Sequence, residues 1–466
     1  MRIRQLLTPL AARRSRGAAA GAAQSRLGWL DAVRGIAAFA VVLQHFDIWR
    51  LVPWGNEVWV HFDFGLYGVM TFFLVSGYII PASLERRGDV RAFWLGRIFR
   101  IHPALIVTIV ICLLTLPDEH MPVLLLNVPH VPTVLTANAM MLQDMLGQPN
   151  SLRVMWTLSF EMVFYFMVTA LFVRGWHRRT SGIAVGLAAG ALLLGVTLTQ
   201  HGLSTGPAAT THLVMAVALL VGSALVFIMT GRTELVRTGA LLLGVVGVVL
   251  AFQNGRAIGF ETFMVFATMF AGTVVYRAEN GQIDRLQGWL VCGFVVAAGV
   301  LVGWLYNRGA NAEATWTSGW MAWCNSYVLA WATFGVAMLF RKRRFPRPLT
   351  WLGAISFSMY LVHVPVLYAV DGPLLTHPTV ASPASQKVVW VLGYLACVLV
   401  ASQLLYTLVE MPMQKLGRKV IKRLNAFDAR RAEAVALAAT VAAAVPAARA
   451  EGEGPEREQQ EPVLTR

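Results

Sequence analysis

The chain has 466 residues, of which 57% are hydrophobic and only 14% are charged, and its formal net charge is +15 at pH 7. Soluble domains carry about 25% charged residues, so this composition, with a mean hydropathy of +0.60, excludes an ordinary soluble protein. No basic module of domain size is present, which argues against nucleic acid as a partner. We therefore expect a membrane protein whose main partner is the lipid bilayer.

Apolar segments of about 20 residues, the length needed to cross a bilayer, recur along the whole chain. We predict an all-α, polytopic integral membrane protein with about 10–12 transmembrane helices. The seventh and eighth candidates are the weakest, because they are short and are joined by only a four-residue connection. The candidates lie at 29–49, 65–83, 98–116, 154–173, 182–199, 212–230, 236–252, 258–276, 287–306, 319–340, 351–370 and 387–409.

The basic residues predict the orientation of these segments, because cytoplasmic loops carry the excess of Lys and Arg. With the N-terminus inside, the clusters at 86–100, 174–179 and 341–344 all fall on the inner side. We predict a multi-pass protein of the cell (inner or plasma) membrane with both termini in the cytoplasm. The richness in Ala and Arg favours a bacterial source.

The two ends of the chain differ in composition from the apolar part. Residues 1–27 are rich in Arg and Ala, and arginines interrupt them before the apolar run that a signal peptide needs. We predict a basic cytoplasmic tail at 1–27, a membrane domain at 28–415 and a largely disordered cytoplasmic tail at 416–466. Within that tail, the Ala-rich stretch at 432–448 predicts a weak surface helix.

The first span carries two residues that are costly in hydrocarbon, Arg34 and His45. A charged residue at the bilayer centre costs roughly 2.5–3.5 kcal/mol on insertion scales, so such residues mark functional sites. Their spacing places both on one face of a helix, about 16 Å apart along its axis. Arg34 could instead only pair with Asp31 or extend to the interface. The depth of His45 leaves it no such route.

The second and third spans carry polar residues towards the predicted cytoplasmic side. Ser76 and Gly77 permit close backbone approach or a bend in the second span, and Arg97 and Arg100 begin the third. Guanidinium groups at an inner membrane surface suit bidentate capture of phosphates. The alternative is that both arginines only set the topology.

Titratable residues also lie in the fourth and eleventh spans. Glu161 lies about 10 Å from the outer edge of its helix at 1.5 Å per residue, and His363 occupies the outer half of its own. Together with His45 they would meet at one level if their helices are neighbours. A structural ion pair for Glu161 and a packing role for His363 are the alternatives.

Other common chemistries have no sequence support. The four cysteines lie within predicted spans and lack metal-ligand spacing, so we expect small packing residues without a disulfide framework. No phosphate-binding glycine loop and no zinc-protease motif occurs. We predict neither a metal site nor a permanently bound cofactor.

Five motifs in order resemble the acyltransferase 3 family of integral membrane acyltransferases, over roughly residues 28–415. The chain departs from the pattern of many members at Met70, where they have aspartate, and at Met411, where they have arginine. The five motifs are Leu30 and Asp31 followed by Arg34 and His45, Phe-Phe-x-x-Ser-Gly at 72–77, Arg97-x-x-Arg100, Trp-Thr-Leu-Ser-x-Glu at 156–161, and Ser-x-Ser-x-Tyr-Leu-x-His-x-Pro at 356–365. In addition, a final Glu-x-Pro at 410–412 resembles the ending of the family's last span.

The resemblance implies transfer of an acyl group, often acetyl, from cytoplasmic acyl-CoA to a hydroxyl of a carbohydrate or another surface or secondary-metabolite acceptor. Acyl-CoA (acetyl-CoA) would be a donor substrate, and direct transfer and an acyl-histidine intermediate are both open. Imidazole titrates near neutral pH, which suits His45 as general base on the acceptor hydroxyl, and Glu161 would orient its ring. The implied site consists of His45, Glu161 and His363 as catalytic residues and of Arg34, Ser76, Arg97 and Arg100 as the residues that bind CoA.

The main alternative is a polytopic secondary transporter, because about twelve spans with buried charges also describe that class. A transporter of two halves should show internal repeats, but the second half contains no copy of the Arg34 to His45 pattern. A scaffold without catalysis would leave the buried histidines unexplained. For an acyltransferase, we expect acceptor specificity to lie in outer loops such as 117–153 and 371–386.

Overall fold

The computed structural model describes residues 28–116, 130–313, 315, 317–371 and 377–451. These residues form helices with no strand among them, which confirms the predicted all-α class. The helices are α1 (28–45), α2 (Gly55–His61), α3 (Phe64–Arg87), α4 (Val90–Thr115), α5 (Val131–Ala139), α6 (Trp156–Val173), α7 (Thr180–Leu194), α8 (Pro207–Met229), α9 (Thr233–Gln253), α10 (Gly259–Glu279), α11 (Arg285–Tyr306), α12 (Ala310–Glu313), α13 (Trp320–Leu339), α14 (Arg347–Ala354), α15 (Ser356–Val370), α16 (Ala384–Leu405) and α17 (Met411–Glu451).

Nine helical segments in the described ranges are long and apolar enough to cross a membrane, and the bent pair α14 and α15 raises this number to ten. The chain is therefore a polytopic membrane protein, as its composition predicts. Helices α1 and α7 coincide with the first and fifth predicted spans but are not among the nine. Helix α7 has only 15 residues, fewer than the about 20 that a bilayer requires.

The seventh and eighth predicted spans are complete helices, contrary to the expectation that they are the weakest. Helices α9 and α10 have 21 residues each. In the most apolar 18-residue stretch of α10, 83% of the residues are buried inside the protein. The mean hydropathy of α10 is low because it carries polar side chains that bond within the bundle. For example, the Thr273 hydroxyl donates to the Gly77 carbonyl, and Thr268 pairs with the Tyr327 hydroxyl.

Glycines bring the helices that carry the predicted site into close contact. A Cβ on Gly77 would overlap the Met269 carbonyl, so α3 and α10 touch through their backbones, as predicted for the Ser-Gly pair. A Cβ on Gly68 would lie 2.6 Å from the Ala37 carbonyl oxygen, which places α1 against α3. On its other face, α1 packs Ala38 and Val42 against residues of α15 and α16, and Phe46, just after the end of α1, joins this contact. Helix α1 is thus surrounded by protein.

The predicted cytoplasmic tail differs from the structure in its first part. Helix α17 continues through the predicted boundary at residue 415 as far as Glu451, so residues 416–451 are helical rather than disordered. Gly417 packs on Phe99 of α4, and Asp428 forms an ion pair with Arg91. These contacts hold the first part of α17 against α4, and the same helix includes the Ala-rich stretch at 432–448, which the sequence predicts as a weak surface helix. The predicted tails at 1–27 and 452–466 lie outside the described residues.

Candidate active site

Two cavities follow one another along α1, α3, α6 and α15. The first, the arginine cavity, has a volume of about 90 Å³ and is lined by Arg34, Arg100 and Glu161, among others. The second, the histidine cavity, has a volume of about 980 Å³ and is lined by His45. On each of the four helices, residues nearer one end line the arginine cavity and residues nearer the other end line the histidine cavity.

His45 and His363 meet at the boundary of the histidine cavity. His45 Nδ1 lies 2.9 Å from the Val41 carbonyl oxygen and 3.2 Å from His363 Nε2, and the two rings meet edge to face. His363 Nδ1 lies 3.1 Å from the Met359 carbonyl oxygen. The structure therefore brings together two of the predicted residues, which lie 318 positions apart in the chain.

These contacts assign the tautomers of both rings. A carbonyl oxygen only accepts hydrogen bonds, so Nδ1 carries the proton in His45 and in His363. His363 Nε2 then holds a lone pair that accepts from His45 Nδ1–H, which is shared with the Val41 carbonyl. The remaining ring nitrogen of His45, Nε2, is left with a lone pair and has no hydrogen-bond partner among the described residues.

Helix α16 holds His363 from the opposite side. The Tyr394 hydroxyl donates to the His363 carbonyl at 3.0 Å, and Phe46 packs on the Tyr394 ring with 5.2 Å between centroids. His363 is completely buried. A buried polar ring must be hydrogen-bonded to be tolerated, and the Met359 and His45 contacts meet that requirement.

Glu161 does not lie beside His45. It lines the arginine cavity and accepts a hydrogen bond from the Tyr165 hydroxyl at 2.5 Å. On the same helical segment, Arg153 and Trp156 are the residues that reach the level of His45. Glu161 therefore lies more than one helical turn further along α6 than Trp156, which lines the same cavity as His45. The expectation that Glu161 orients His45 disagrees with this geometry.

The predicted CoA-binding residues fall into two groups. Arg34, Ser76 and Arg100 line the arginine cavity together. Arg97 does not line it, because its guanidinium lies between the rings of Phe93 and Tyr165, 5.1 and 5.0 Å from their centroids. Such cation–π contacts are worth about 0.5–2 kcal/mol, so Arg97 supports the wall of the cavity from behind.

Charges around Arg34 include both signs. Asp31 lies 4.0 Å from the Arg34 guanidinium, one helical turn away. Glu410, in the π-helical turn Tyr406–Glu410, is buried and accepts a hydrogen bond from the Ser358 hydroxyl at 2.8 Å. Its carboxylate interacts electrostatically with Arg34 and Arg100. The final Glu-x-Pro motif thus contributes its glutamate to the surroundings of the arginine cavity.

Residues 27–407 match the family model of an acyltransferase domain. The chain belongs to this acyltransferase family. The match covers most of the chain, including both cavities, and confirms the resemblance that the five motifs indicate. It also favours acyl transfer over the alternative of a secondary transporter.

Curated relatives of the acyltransferase match over shorter ranges. Nodulation protein 10 of Rhizobium leguminosarum bv. viciae is 29% identical over 180 residues, which cover 34% of this chain and 48% of that protein. A protein of Staphylococcus aureus (strain COL) named as a candidate O-acetyltransferase is 32% identical over 88 residues, which cover 18% of this chain and 13% of that protein. The chain therefore spans less than half the length of these relatives. No solved structure matches it.

The acyltransferase has a further group of site residues that the sequence analysis missed. Trp49 and Trp59 stack with 4.5 Å between ring centroids and line the histidine cavity, together with Asn56 and Asp63. Trp49 is the last residue of the first predicted span, and Asn56, Trp59 and Asp63 lie between the first two predicted spans, where no site residue is predicted. The signal in the sequence is the concentration of tryptophans at 49–59 beside carboxylate and amide residues.

The predicted specificity loops reach the histidine cavity only in part. Asp144, Asn150 and Arg153, from the loop predicted at 117–153, line it, and Arg256 lies 3.4 Å from Asp144. Residues 117–129 and 372–376 lie outside the described part of the chain. Burial raises the pKa of the Asp144 carboxyl to about 6, although the Arg256 guanidinium opposes this shift.

Proposed function

We propose that this acyltransferase moves an acyl group, acetyl in the first instance, from acyl-CoA to a hydroxyl of a carbohydrate acceptor. The observation that carries the proposal is the hydrogen bond between His45 and His363, which directs the lone pair of His45 Nε2 away from the protein contacts of the ring. A general base needs such a free lone pair next to space for its substrate. The histidine cavity supplies that space.

The arginine cavity is our candidate for the donor side. Arg34 and Arg100 supply planar guanidinium groups that fit phosphate oxygens in a bidentate geometry, and the Ser76 hydroxyl adds a further donor. The volume of about 90 Å³ is too small for a whole CoA molecule, so the phosphates would lie at its mouth and the thioester arm inside. The donor is a substrate replaced at each turnover.

The chemistry follows from the tautomer of His45. As the acceptor hydroxyl attacks the thioester carbonyl, its proton moves to His45 Nε2. The tetrahedral intermediate then collapses, the C–S bond breaks, and His45 returns the proton to the departing CoA thiolate. While His45 is cationic, its Nδ1–H donates more strongly to His363 Nε2. His363 acts as a positioning residue because its contact is with His45.

The lining of the histidine cavity supports a carbohydrate as acceptor. Trp49 and Trp59 supply aromatic faces, while Asp63 and Asn150 supply polar atoms for hydroxyl groups. Ligand pockets of about 300–1,000 Å³ suit molecules of one to a few rings, and this cavity lies within that range. A cavity for a purely apolar acceptor would not place carboxylates beside indole rings.

We also propose that the arginine cavity faces the cytoplasm of a bacterial cell membrane, with both termini on that side. Five arginines lie between 86 and 100, and the last of them, Arg100, lines the arginine cavity together with Arg34. Such an excess is typical of cytoplasmic loops. The acceptor would then be modified on the outer side of the membrane.

The decisive experiment compares His45→Ala with His61→Ala in the purified full chain. His61 is a matched control, since its Nδ1 also bonds the carbonyl four residues earlier but its side chain is exposed and lines neither cavity. We expect His45→Ala to lower release of CoA from acetyl-CoA by more than about 100-fold, the contribution of a general base. His61→Ala should retain the rate.

Turnover at the wild-type rate in folded His45→Ala protein would contradict the mechanism. The acceptor can be identified separately by comparing surface glycans from cells with and without the gene by mass spectrometry. A glycan that is lighter by the mass of one acetyl group in cells without the gene would identify both the acyl group and the acceptor. Unchanged glycans together with a lost acetyl group on another molecule would overturn the carbohydrate assignment.

A further inference from the structure

The two cavities share two lining residues, Val69 of α3 and Tyr360 of α15. On α3, Leu66 lines only the histidine cavity and Phe72 only the arginine cavity, with Val69 between them. On α15, Phe357 lines only the arginine cavity and Val364 only the histidine cavity, with Tyr360 between them. Val69 and Tyr360 therefore form the partition between the two cavities.

Hydrogen bonds hold Tyr360 across this partition. Its hydroxyl lies 2.6 Å from the Thr157 hydroxyl and 3.0 Å from the Val154 carbonyl oxygen, so the side chain extends from α15 to α6. The edge of its ring faces Phe72, with 6.0 Å between centroids. Tyr360 is buried, and its ring lies 5.9 Å from that of His363. The partition is thus a packed wall one helical turn from the proposed reaction centre.

The proposed function makes this partition an obstacle to the donor. Arg34 and Arg100, which would hold the phosphates, line one cavity, whereas His45 lines the other. The acyl thioester must therefore pass between Val69 and Tyr360 to reach His45. Larger acyl groups would meet the Val69 methyl groups and the Tyr360 ring, which packing against α6 holds in place.

We propose that Val69 and Tyr360 form the passage for the acyl thioester and that its width limits the donor to short acyl groups. This inference rests on the proposed function, since it concerns the same donor and the same histidine. Each extra methylene that has no space in a close-fitting site costs roughly tenfold or more in kcat/KM. The wild-type protein should therefore use acetyl-CoA well, propionyl-CoA less well and butyryl-CoA poorly.

The test changes the size of Val69 in both directions. Release of CoA is measured for acetyl-CoA, propionyl-CoA and butyryl-CoA with the purified full chain, and the ratio of kcat/KM for butyryl-CoA to that for acetyl-CoA is compared. Val69→Ala should raise this ratio by about tenfold, and Val69→Leu should lower it. Val75→Ala is the matched control, because Val75 is buried on the same helix but lines neither cavity.

The outcomes separate this inference from the proposed function. If the wild-type protein releases no CoA from any of the three donors, the proposed function fails. If CoA release depends on His45 but both Val69 variants keep the wild-type ratio, the passage fails and the proposed function stands. A wild-type protein that uses butyryl-CoA as well as acetyl-CoA would also overturn the passage. A lower stability alone would reduce all rates together and leave the ratio unchanged.

Discussion

At the scale of residues, the proposed mechanism depends on one histidine orienting another. In many hydrolases a carboxylate accepts from the base histidine and stabilises it when it becomes cationic. Here His363 Nε2 accepts the hydrogen bond from His45 in place of a carboxylate, and His363 Nδ1–H donates to the Met359 carbonyl. A neutral acceptor avoids placing an unpaired negative charge in a buried site, which would cost several kcal/mol. It still keeps His45 in the tautomer that leaves Nε2 free.

This arrangement predicts different effects for two substitutions of His363. His363→Ala removes one of the two acceptors for His45 Nδ1–H, the other being the Val41 carbonyl, and should lower kcat by about 10- to 100-fold, while the KM for acetyl-CoA stays within a factor of about two. His363→Gln can present an amide oxygen to His45 and should recover part of the loss. The measurement is the steady-state kinetics of CoA release with each variant.

Partial recovery of kcat by His363→Gln distinguishes a role of His363 in positioning His45 from a role in packing alone. Tyr327→Phe serves as the control, because Tyr327 is buried and hydrogen-bonded to Thr268 but lines neither cavity. If His363→Gln were as inactive as His363→Ala, with both proteins folded, the hydrogen bond from His45 would not be the reason for the loss. An equal effect of Tyr327→Phe would indicate general destabilisation.

At the scale of elements, glycine contacts decide which helices become neighbours. Gly77 of α3 and Gly272 of α10 face each other's backbones at one crossing, and a Cβ on either would overlap a carbonyl of the other helix. Small residues at such crossings let helices approach closely, and this packing stabilises bundles in a bilayer. The crossing fixes the position of α3 in the bundle. Ser76 of this helix lines the arginine cavity, and Val69 lines both cavities.

The crossing therefore predicts a large loss of stability for Gly77→Ala. The added methyl group would have to displace the backbone of α10, and such overpacking costs typically 1–3 kcal/mol. Gly222→Ala on α8 is the matched control, since its added Cβ would meet no atom within 4 Å. Thermal unfolding in detergent should show a clearly lower midpoint for Gly77→Ala and an unchanged or higher one for Gly222→Ala. Equal midpoints would mean that α3 and α10 do not touch at Gly77.

Sequence patterns predict which segments form helices better than they predict which helices pack against one another. Hydropathy locates α9 and α10 but makes them look short, because both helices continue beyond the ends of their apolar stretches, as far as Thr233 in α9 and Glu279 in α10. A count of residues along each helix places Glu161 at the level of His45, because it assumes that all helices begin at the same depth. The entry of α6, through the turn at Arg153–Met155, cannot be predicted from the apolar pattern.

The same limit applies to the partners of His45. The functional hypothesis for His45 follows from its depth in the first predicted span, but its contact with His363 requires that α1 and α15 be neighbours, which no pattern within either helix encodes. Tryptophans 49 and 59 likewise gain meaning only when the segment between α1 and α3 folds over the histidine cavity. Long-range packing, rather than local propensity, assembles the site.

At the scale of the whole molecule, the separation of the two cavities implies a separation of the substrates. With the proposed orientation, the donor would remain on the cytoplasmic side while the acceptor entered from the other. Only the acyl thioester end of the donor would cross the partition at Val69 and Tyr360, because the phosphates of CoA would stay with the arginines. Moving a charged phosphate across hydrocarbon would be far more costly than moving an acetyl group.

This division of sides can be tested with sealed vesicles of known orientation. Inverted vesicles expose the predicted cytoplasmic face to the outer solution. Because acetyl-CoA does not cross the bilayer, acetyl-CoA added to inverted vesicles should be converted to free CoA at least about tenfold faster than acetyl-CoA added to right-side-out vesicles. Protease access to a tag after the C-terminus reports the orientation of each preparation, and detergent should equalise the two rates. Faster release from intact right-side-out vesicles would place the arginine cavity on the outer side and reverse the predicted topology.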